Sequence, residues 1–529
     1  MLAGFSANAQ SPDGGSSNLL VAFIAFLVFI LLVIIVMVAD RLMRVTATQT
    51  GADKTGENYS VFPRLEEIFS SSKSYATSAS SITKLKKGYD IPLAGEAEKV
   101  VGETAAPVRY AIKPTDFQGM SPIPKVMVEI EGTVKAGDPI FYDKKRPEVK
   151  FCSPVSGQLI EVNRGAKRKI TEVVILADKE QSYRSYDLPN LNEVSREGLV
   201  DFMAANGLLP FLRQRPYNIV PEVTAVPKNI FVSTFNTAPL APCSNMAVKG
   251  NEAAFQKGLD VLAKLTEGTV HLGLNAADAG ISSAFTDASG VSKHWFDGPH
   301  PAGNVGVQIH QIAPINKGDI VWTADVNAVI TIGRVVSEGR VNTERLVALT
   351  GAELENAQYV KVFQGANVET LLEGNITEEN VRVVSGDVLT GEKISEKGYL
   401  GFFDNQVTVL KEGDYYEMFG WLVPIAPRPS ISNTFPHFAY PEKMVADTNT
   451  HGEHRAFVVT GQYESVLPMD IYPQHLFKSI IVNDFERMEG LGIYELVEED
   501  VALCEFVCTS KQNIQQILRK GLEMMRDQG

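Results

Sequence analysis

Residues 295–314 read WFDGPHPAGNVGVQIHQIAP and set three prolines, three glycines and two histidines between two β-like runs. Pro299 and Pro301 remove two backbone donors and push the residues before them toward extended geometry, so the first half cannot be helical. Gly298, Gly303 and Gly306 allow a positive φ or a close backbone approach. Alternation resumes at Val305, Val307 and Ile309, which predicts a rigid loop running straight into a strand. Such a loop can turn its free N–H groups toward a ligand or another chain, and a tight internal connection explains the same composition. The candidate residues are Gly298, His300, Pro301, Gly303, Asn304 and Gly306, as a ligand-binding or docking loop.

Outward from this loop the chain alternates between helix and strand. Residues 195–206 form a predicted helix, with Leu199, Phe202 and Met203 on one face, Ser195 as its cap and Gly207 at its end. The buried strand in NIFVSTFNTAPLAP follows, then a helix over 252–265 with Phe255, Leu259 and Leu262 at helical spacing. VHLGLN, the loop and IVWTADVNAVITIGR complete an open, Rossmann-like α/β domain over 181–339. No G-x-G-x-x-G follows a strand. Gly298, Gly303 and Gly306 have neither that fingerprint's spacing nor a predicted helix after them, so no dinucleotide site is expected.

The N-terminal part is of another kind. Residues 19–39 are apolar without one charge, and at about 1.5 Å rise each they reach across a hydrocarbon core of roughly 30 Å. A transmembrane helix is expected there. The run is too long for a signal-peptide core, and no basic segment precedes it. Arg41 and Arg44 follow it while residues 1–18 carry only Asp13, so the positive-inside rule puts the N-terminus outside and the long C-terminal part in the cytoplasm. Residues 40–81 are rich in Ser, Thr, Lys and Gly and read as a linker, with one apolar patch at 61–69.

Residues 82–180 read as short strands with turns between them. EGTVKAGDPIFYDKKRPEVKFCSPVSGQLIEVNRGAKRK has the glycine and valine rhythm of lipoyl and biotinyl domains, a barrel-sandwich hybrid of paired hairpins. Lys144 stands where those domains carry their acylated lysine, but Lys145, Arg146 and Pro147 lengthen the turn. Arg164, Lys167, Arg168 and Lys169 form a basic turn that is either simply solvated or set against anionic headgroups or an acidic partner.

Composition excludes several classes. The chain of 529 residues has an apolar fraction of 44%, enough for several cored domains. A formal charge of -14 opposes nucleic-acid binding. Cys152, Cys243, Cys504 and Cys508 have no zinc-ribbon, redox-pair or cluster spacing, so no metal is expected on this chain. Cys504 and Cys508 are expected as small apolar residues on one helix face. His451 and His454 are too few for a metal site.

KLKKGYDIPLAG, SPVSG with NRGAKR, GPHPAGNVG, VITIGR, VVSGDVLTG with GYLGFFDNQVTV, and ELVEEDVALCEFVC fall in order over residues 82–529. Together they resemble the A subunit of the sodium-translocating NADH:quinone oxidoreductase. That resemblance implies a subunit without flavin or metal. FAD, FMN, riboflavin and an iron–sulfur cluster would lie in partner subunits B to F, with NADH, a quinone such as ubiquinone and Na+ as substrates of the complex. It implies the bacterial inner membrane, with the bulk of the chain in the cytoplasm and a link to the quinone end of the reaction. The family member is soluble and peripheral, so the predicted N-terminal anchor is a departure. Residues 340–430 are similar to soluble-ligand-binding β-grasp (SLBB) domains, and 431–529 form a helix-rich C-terminal domain. The alternative function is a structural scaffold that binds no small ligand.

Overall fold

The computed structural model describes residues 82–103, 106–420, 426–431 and 440–528, together with helical positions 23–29, 31–32, 35–36 and 39. The chain divides into two compact units, Met1–Lys73 and Ser74–Gly529. In the first, the described positions are exposed, as at Phe23, Phe26 and Phe29. Among the described residues no helix is long and apolar enough to cross a membrane, so the expected span at 19–39 stands on its sequence alone. The remaining positions of that span, the linker 40–81 and its patch at 61–69 lie outside the described residues.

The second unit opens by lending strands away. β1 (Ile82–Lys84) and β2 (Glu98–Val101) stand in the barrel's stretch of sequence, yet each joins a different neighbouring sheet. The barrel itself comprises β3 (Arg109–Ile112), β4 (Lys125–Val126), β5 (Thr133–Val134), β6 (Pro139–Asp143), β7 (Arg146–Cys152), β8 (Gly157–Arg164) and β9 (Ile170–Ala177). They form two antiparallel sheets, ordered β3-β9-β8-β5 and β4-β6-β7. Phe141 stacks on Phe151 at 4.9 Å between ring centres, and Phe117 meets Phe151 at 4.5 Å. Lys144 is exposed at the tip of the β6–β7 hairpin, and the basic residues from Arg164 to Lys169 occupy an exposed turn.

The α/β domain contributes β10 (Arg213–Arg215), β11 (Asn229–Ser233), β12 (Val270–Asn275), β13 (Ser292–Asp297) and β14 (Val321–Ala324). The sheet order is β1-β13-β12-β11-β14-β10, parallel except for β10. Ile230 and Val232 on β11 join the core that holds helices Glu252–Leu265 and Val326–Glu338, while Phe231 faces the other side with Ile309 and Val321. Gly258 and Gly333 let those two helices touch. A Cβ on Gly333 would fall 1.8 Å from the Ala254 carbonyl oxygen, and one on Gly258 2.1 Å from that of Val329.

The expected strand after the loop is instead the helix Val305–Ile312. A parallel strand cannot hairpin onto its neighbour, and β13 reaches β14 only by a crossover, which this helix supplies. It is about two turns long and buries Gly306, Val307, Gln308 and Ile309 in succession. With no exposed face among them, the valines and isoleucine mimic a period of two.

The fourth sheet holds β15 (Arg345–Thr350), β16 (Gln358–Val362), β17 (Val381–Ser385), β18 (Glu392–Ile394) and β19 (Gln406–Lys411), ordered β18-β17-β19-β15-β16-β2, with helix Val368–Leu372 beside it. The C-terminal helices Gln462–Val466, Pro473–Ile481, Phe485–Gly490, Glu498–Val507 and Ile514–Gln528 follow. Their core includes Leu476, Phe477, Leu518 and Leu522 and takes in Leu85, Phe296 and Val307 from the α/β side. Cys504 and Cys508 are buried in it, and the Tyr463 hydroxyl donates to the Cys508 sulfur at 2.8 Å. Burial pushes the Cys504 thiol up, so it sits there as a neutral core group.

Candidate functional site

Strand order reverses between β11 and β14. β12 and β13 lie on one side of β11 and β14 on the other, and ligands of open α/β sheets bind outside the carboxyl ends of the strands at such a point. A cavity of about 490 Å³ opens there. Its wall runs through Ser233 at the end of β11, Phe235 and Asn236 beyond it, and Thr323, Ala324 and Asp325 at the end of β14. The barrel adds Asp116 and Phe117, the β-grasp sheet Asp387, Asp404 and Gln406, and the C-terminal helices Glu498, Glu499 and Gln515.

The predicted loop reaches this cavity only at its inner end. Gly303 and Asn304 line it. Gly303 is required by contact, since a Cβ there would lie 2.7 Å from the Thr237 nitrogen. His300 and Pro301 are buried. The His300 backbone N–H donates to Asp90 Oδ1 at 2.7 Å. Thr237 Oγ1 accepts the Gly303 N–H at 3.0 Å and lies within hydrogen-bond distance of His300 Nδ1, at 3.1 Å. His300 Nε2 is buried without a partner. Burial lowers the His300 pKa to about 4, so the ring is neutral at physiological pH. Gly298 packs on the Leu85 carbonyl, and Gly306 on the Arg215 guanidinium and the Asp500 carboxylate. The loop therefore binds mostly to its own chain, with two of its six candidate residues turned to the cavity.

Ionic groups that sequence reading passed over dominate the surroundings. Arg215 is 2% exposed and holds Asp500 at 2.7 Å and Glu499 at 2.5 Å, which fastens the C-terminal helices to the α/β sheet. Asn304 Nδ2 donates to the Glu499 carbonyl at 2.8 Å. Asp500 accepts the Val497 N–H through Oδ2, while Oδ1 has no partner, and desolvation holds its carboxyl above the usual range despite Arg215. Across the cavity, burial raises Asp116 to about 7 against the pull of Lys113, whose nitrogen lies 3.5 Å away. Asp404 is raised by burial as well. No local pattern marks Arg213, Arg215, Asp116 or Asp404, because their meaning comes from four separated segments meeting in space.

Six carboxylates, Asp116, Asp325, Asp387, Asp404, Glu498 and Glu499, face the cavity with a single cation, Arg213. At the N-terminus of its own helix Asp325 accepts the Ala328 N–H at 2.6 Å, and Asp387 accepts from Leu389 and Thr390. Among the described residues no group of three or more His, Cys, Asp or Glu is placed to hold a metal ion.

Fold and cavity together define a class: a Rossmann-like domain flanked by a barrel-sandwich hybrid and a β-grasp sheet, with its switch-point crevice lined by carboxylates. Three family models match consecutive parts of the chain: the NqrA N-terminal barrel-sandwich hybrid domain at residues 83–178, the NqrA second alpha/beta domain at 194–341 and the NQRA C-terminal domain at 346–396. The A subunit of the Na(+)-translocating NADH-quinone reductase of Neisseria meningitidis serogroup B is 38% identical over 451 residues, covering 84% of this chain and 100% of that one. The corresponding A subunit of Vibrio vulnificus strain YJ016 is 37% identical over 449 residues, covering 84% and 99%. The chain belongs to the NqrA family, which is the family of A subunits of the Na(+)-translocating NADH-quinone reductase. A solved NAD+-reducing [NiFe]-hydrogenase in the air-oxidized state aligns at a TM-score of 0.33 and 11% identity over 65% of this chain and 66% of that one, too slight a likeness to bear on the argument.

Proposed function

We propose that this chain works without a cofactor of its own in a complex that passes electrons from NADH to a quinone and exports Na+. Flavins, the iron–sulfur cluster and the sodium path belong, on this reading, to partner subunits. The chain forms the cytoplasmic arm and is tethered to the bacterial inner membrane by residues 19–39. The observation that carries the cofactor-free reading is the cavity wall. The place where related folds seat a phosphate presents six carboxylates, one of which, Asp325, stands at the helix N-terminus and takes the Ala328 N–H. A flavin mononucleotide would bring about two more negative charges into that surface. Full-length chain purified in detergent should carry no stoichiometric flavin, iron or zinc, as read by absorbance and elemental analysis. One bound flavin per chain would overturn the reading.

The same cavity is our candidate for the quinone contact, through Gly303 and Asn304. The scaffold reading keeps a specific support of its own: His300 and Gly306 are consumed by contacts to Thr237, Asp90, Arg215 and Asp500. His300→Ala separates the two roles. It should loosen the fold, read as a lower melting temperature, and leave quinone affinity of the folded fraction unchanged. Reduced affinity at unchanged stability would place the histidine at the ligand instead.

A further inference from the structure

The cavity's lone cation makes no hydrogen bond among the described residues, although its charge acts on Asp404. Arg213 lies on β10, half-buried, with its guanidinium carbon 3.8 Å from the centre of the Phe403 ring. Among the described residues it makes no side-chain hydrogen bond and no ion pair, although six carboxylates line the same space. Each of those is engaged elsewhere: Glu498 with Arg519, Glu499 with Arg215 and Asp116 with Lys113. Asp325, Asp387 and Asp404 take the Ala328 N–H, the Leu389 N–H and the Ser385 hydroxyl. A guanidinium carries five N–H donors in a flat fork, and a partly desolvated one is ordinarily paired. Here the Phe403 face holds the cation, and Phe235, Tyr359 and Asn304 line the same cavity.

We infer that Arg213 is the ligand-anchoring residue of the switch-point cavity, and that its ligand is an uncharged planar ring with carbonyl oxygens on its edge. The fork supplies donors to the carbonyls, and the aromatic residues supply apolar faces for the ring. The surrounding carboxylates screen out phosphate esters and other anions by repulsion. A quinone head group has this chemistry, and so does a nucleobase without phosphate. The inference deepens the quinone reading above by naming the group that would hold the ring.

The test uses full-length protein in detergent, with tetramethyl-1,4-benzoquinone, which has no ring position open to the Cys243 thiol, and with uridine and uridine monophosphate. Binding is read by calorimetry. Wild type should bind at least one of the two neutral rings saturably, and uridine monophosphate more weakly than uridine. Arg213→Ala should raise the Kd by about tenfold or more, the size expected for a charged hydrogen bond. Arg213→Lys keeps charge and stem without the fork and should fall between, with its melting temperature serving as the control for folding. Quinone affinity that survives Arg213→Ala would overturn the anchoring role and leave the quinone reading standing. Failure of both neutral rings to bind would overturn both, and tighter binding of the monophosphate than of uridine would overturn the exclusion of phosphate.

Discussion

At the scale of residues, charge is the variable that the cavity adjusts. Asp116 has a folded pKa of about 7 because burial costs its charged form more than Lys113 returns. A carboxyl raised in the folded state binds a proton there that the unfolded chain has already released. Its contribution is therefore fully present below the unfolded pKa near 4 and is lost as pH rises through about 7. Asp116→Asn should remove that dependence. Wild type should lose roughly 1.4 kcal/mol per pH unit relative to the variant between those limits, seen in paired denaturant melts. A constant difference between the two proteins across that range would show that Asp116 is ionised throughout. The Arg215–Asp500 pair makes a sharper case. Both side chains are buried, so Asp500→Ala leaves a guanidinium held only by the half-exposed Glu499 and should cost about 3–5 kcal/mol. A loss within about 0.5 kcal/mol of zero would mean that Glu499 alone satisfies Arg215. None of these four residues could be singled out in advance. Arg213 and Arg215 sit in an ordinary basic stretch, and Asp116 and Asp404 owe their shifts chiefly to burial by segments distant in sequence.

Elements were easier to read where one face is buried and the other wet. Helices Arg196–Ala205 and Glu252–Leu265 match their expected places because their apolar spacing records one buried face, and strands Asn229–Ser233 and Val270–Asn275 because a short apolar run marks a central strand buried on both faces. Reading failed at Val305–Ile312, whose middle residues Gly306, Val307, Gln308 and Ile309 are buried in succession, with Gly306 against the Arg215 pair. Periodicity needs a repeated polar face for contrast, and this two-turn crossover exposes only Gln311. VITIGR was legible as a motif, but its glycine gained a reason only in three dimensions. Gly333 sits where Val326–Glu338 meets Glu252–Leu265, against the Ala254 carbonyl and the Gly258 nitrogen. Gly333→Ala adds helix propensity of about 1 kcal/mol, yet its methyl would lie 1.8 Å from a backbone oxygen, which helices can relieve only by parting. The net result should be a loss of about 1–3 kcal/mol, typical of overpacking. A stabilised variant in thermal melts would show that the two helices separate freely.

For the whole molecule, the division of labour lies between the compact unit Ser74–Gly529 and the N-terminal unit Met1–Lys73. The larger unit contains every sheet named above, both main cores and the cavity, and its C-terminal helices are tied back by Arg215, Asn304 and His310. His310 accepts the Asp470 N–H at Nε2, so its remaining ring proton points from Nδ1 to Glu495 at 2.7 Å. Two segments far apart in sequence are thereby fixed to one imidazole. Domain order was legible because each module has its own motif, but the exchange of β1 and β2 was not, since a three- or four-residue strand does not announce its partner. A chain trimmed to residues 74–529 keeps all of these contacts, so it should melt cooperatively and remain in the supernatant after centrifugation. The full chain carries 21 consecutive uncharged apolar residues at 19–39 and should stay with membranes through alkaline carbonate washing. Release of the full chain by carbonate would defeat the anchor. Aggregation of the trimmed chain would mean instead that residues before Ser74 cover apolar surface on the larger unit. The two failures are distinct, because the first concerns attachment to lipid and the second the integrity of the fold.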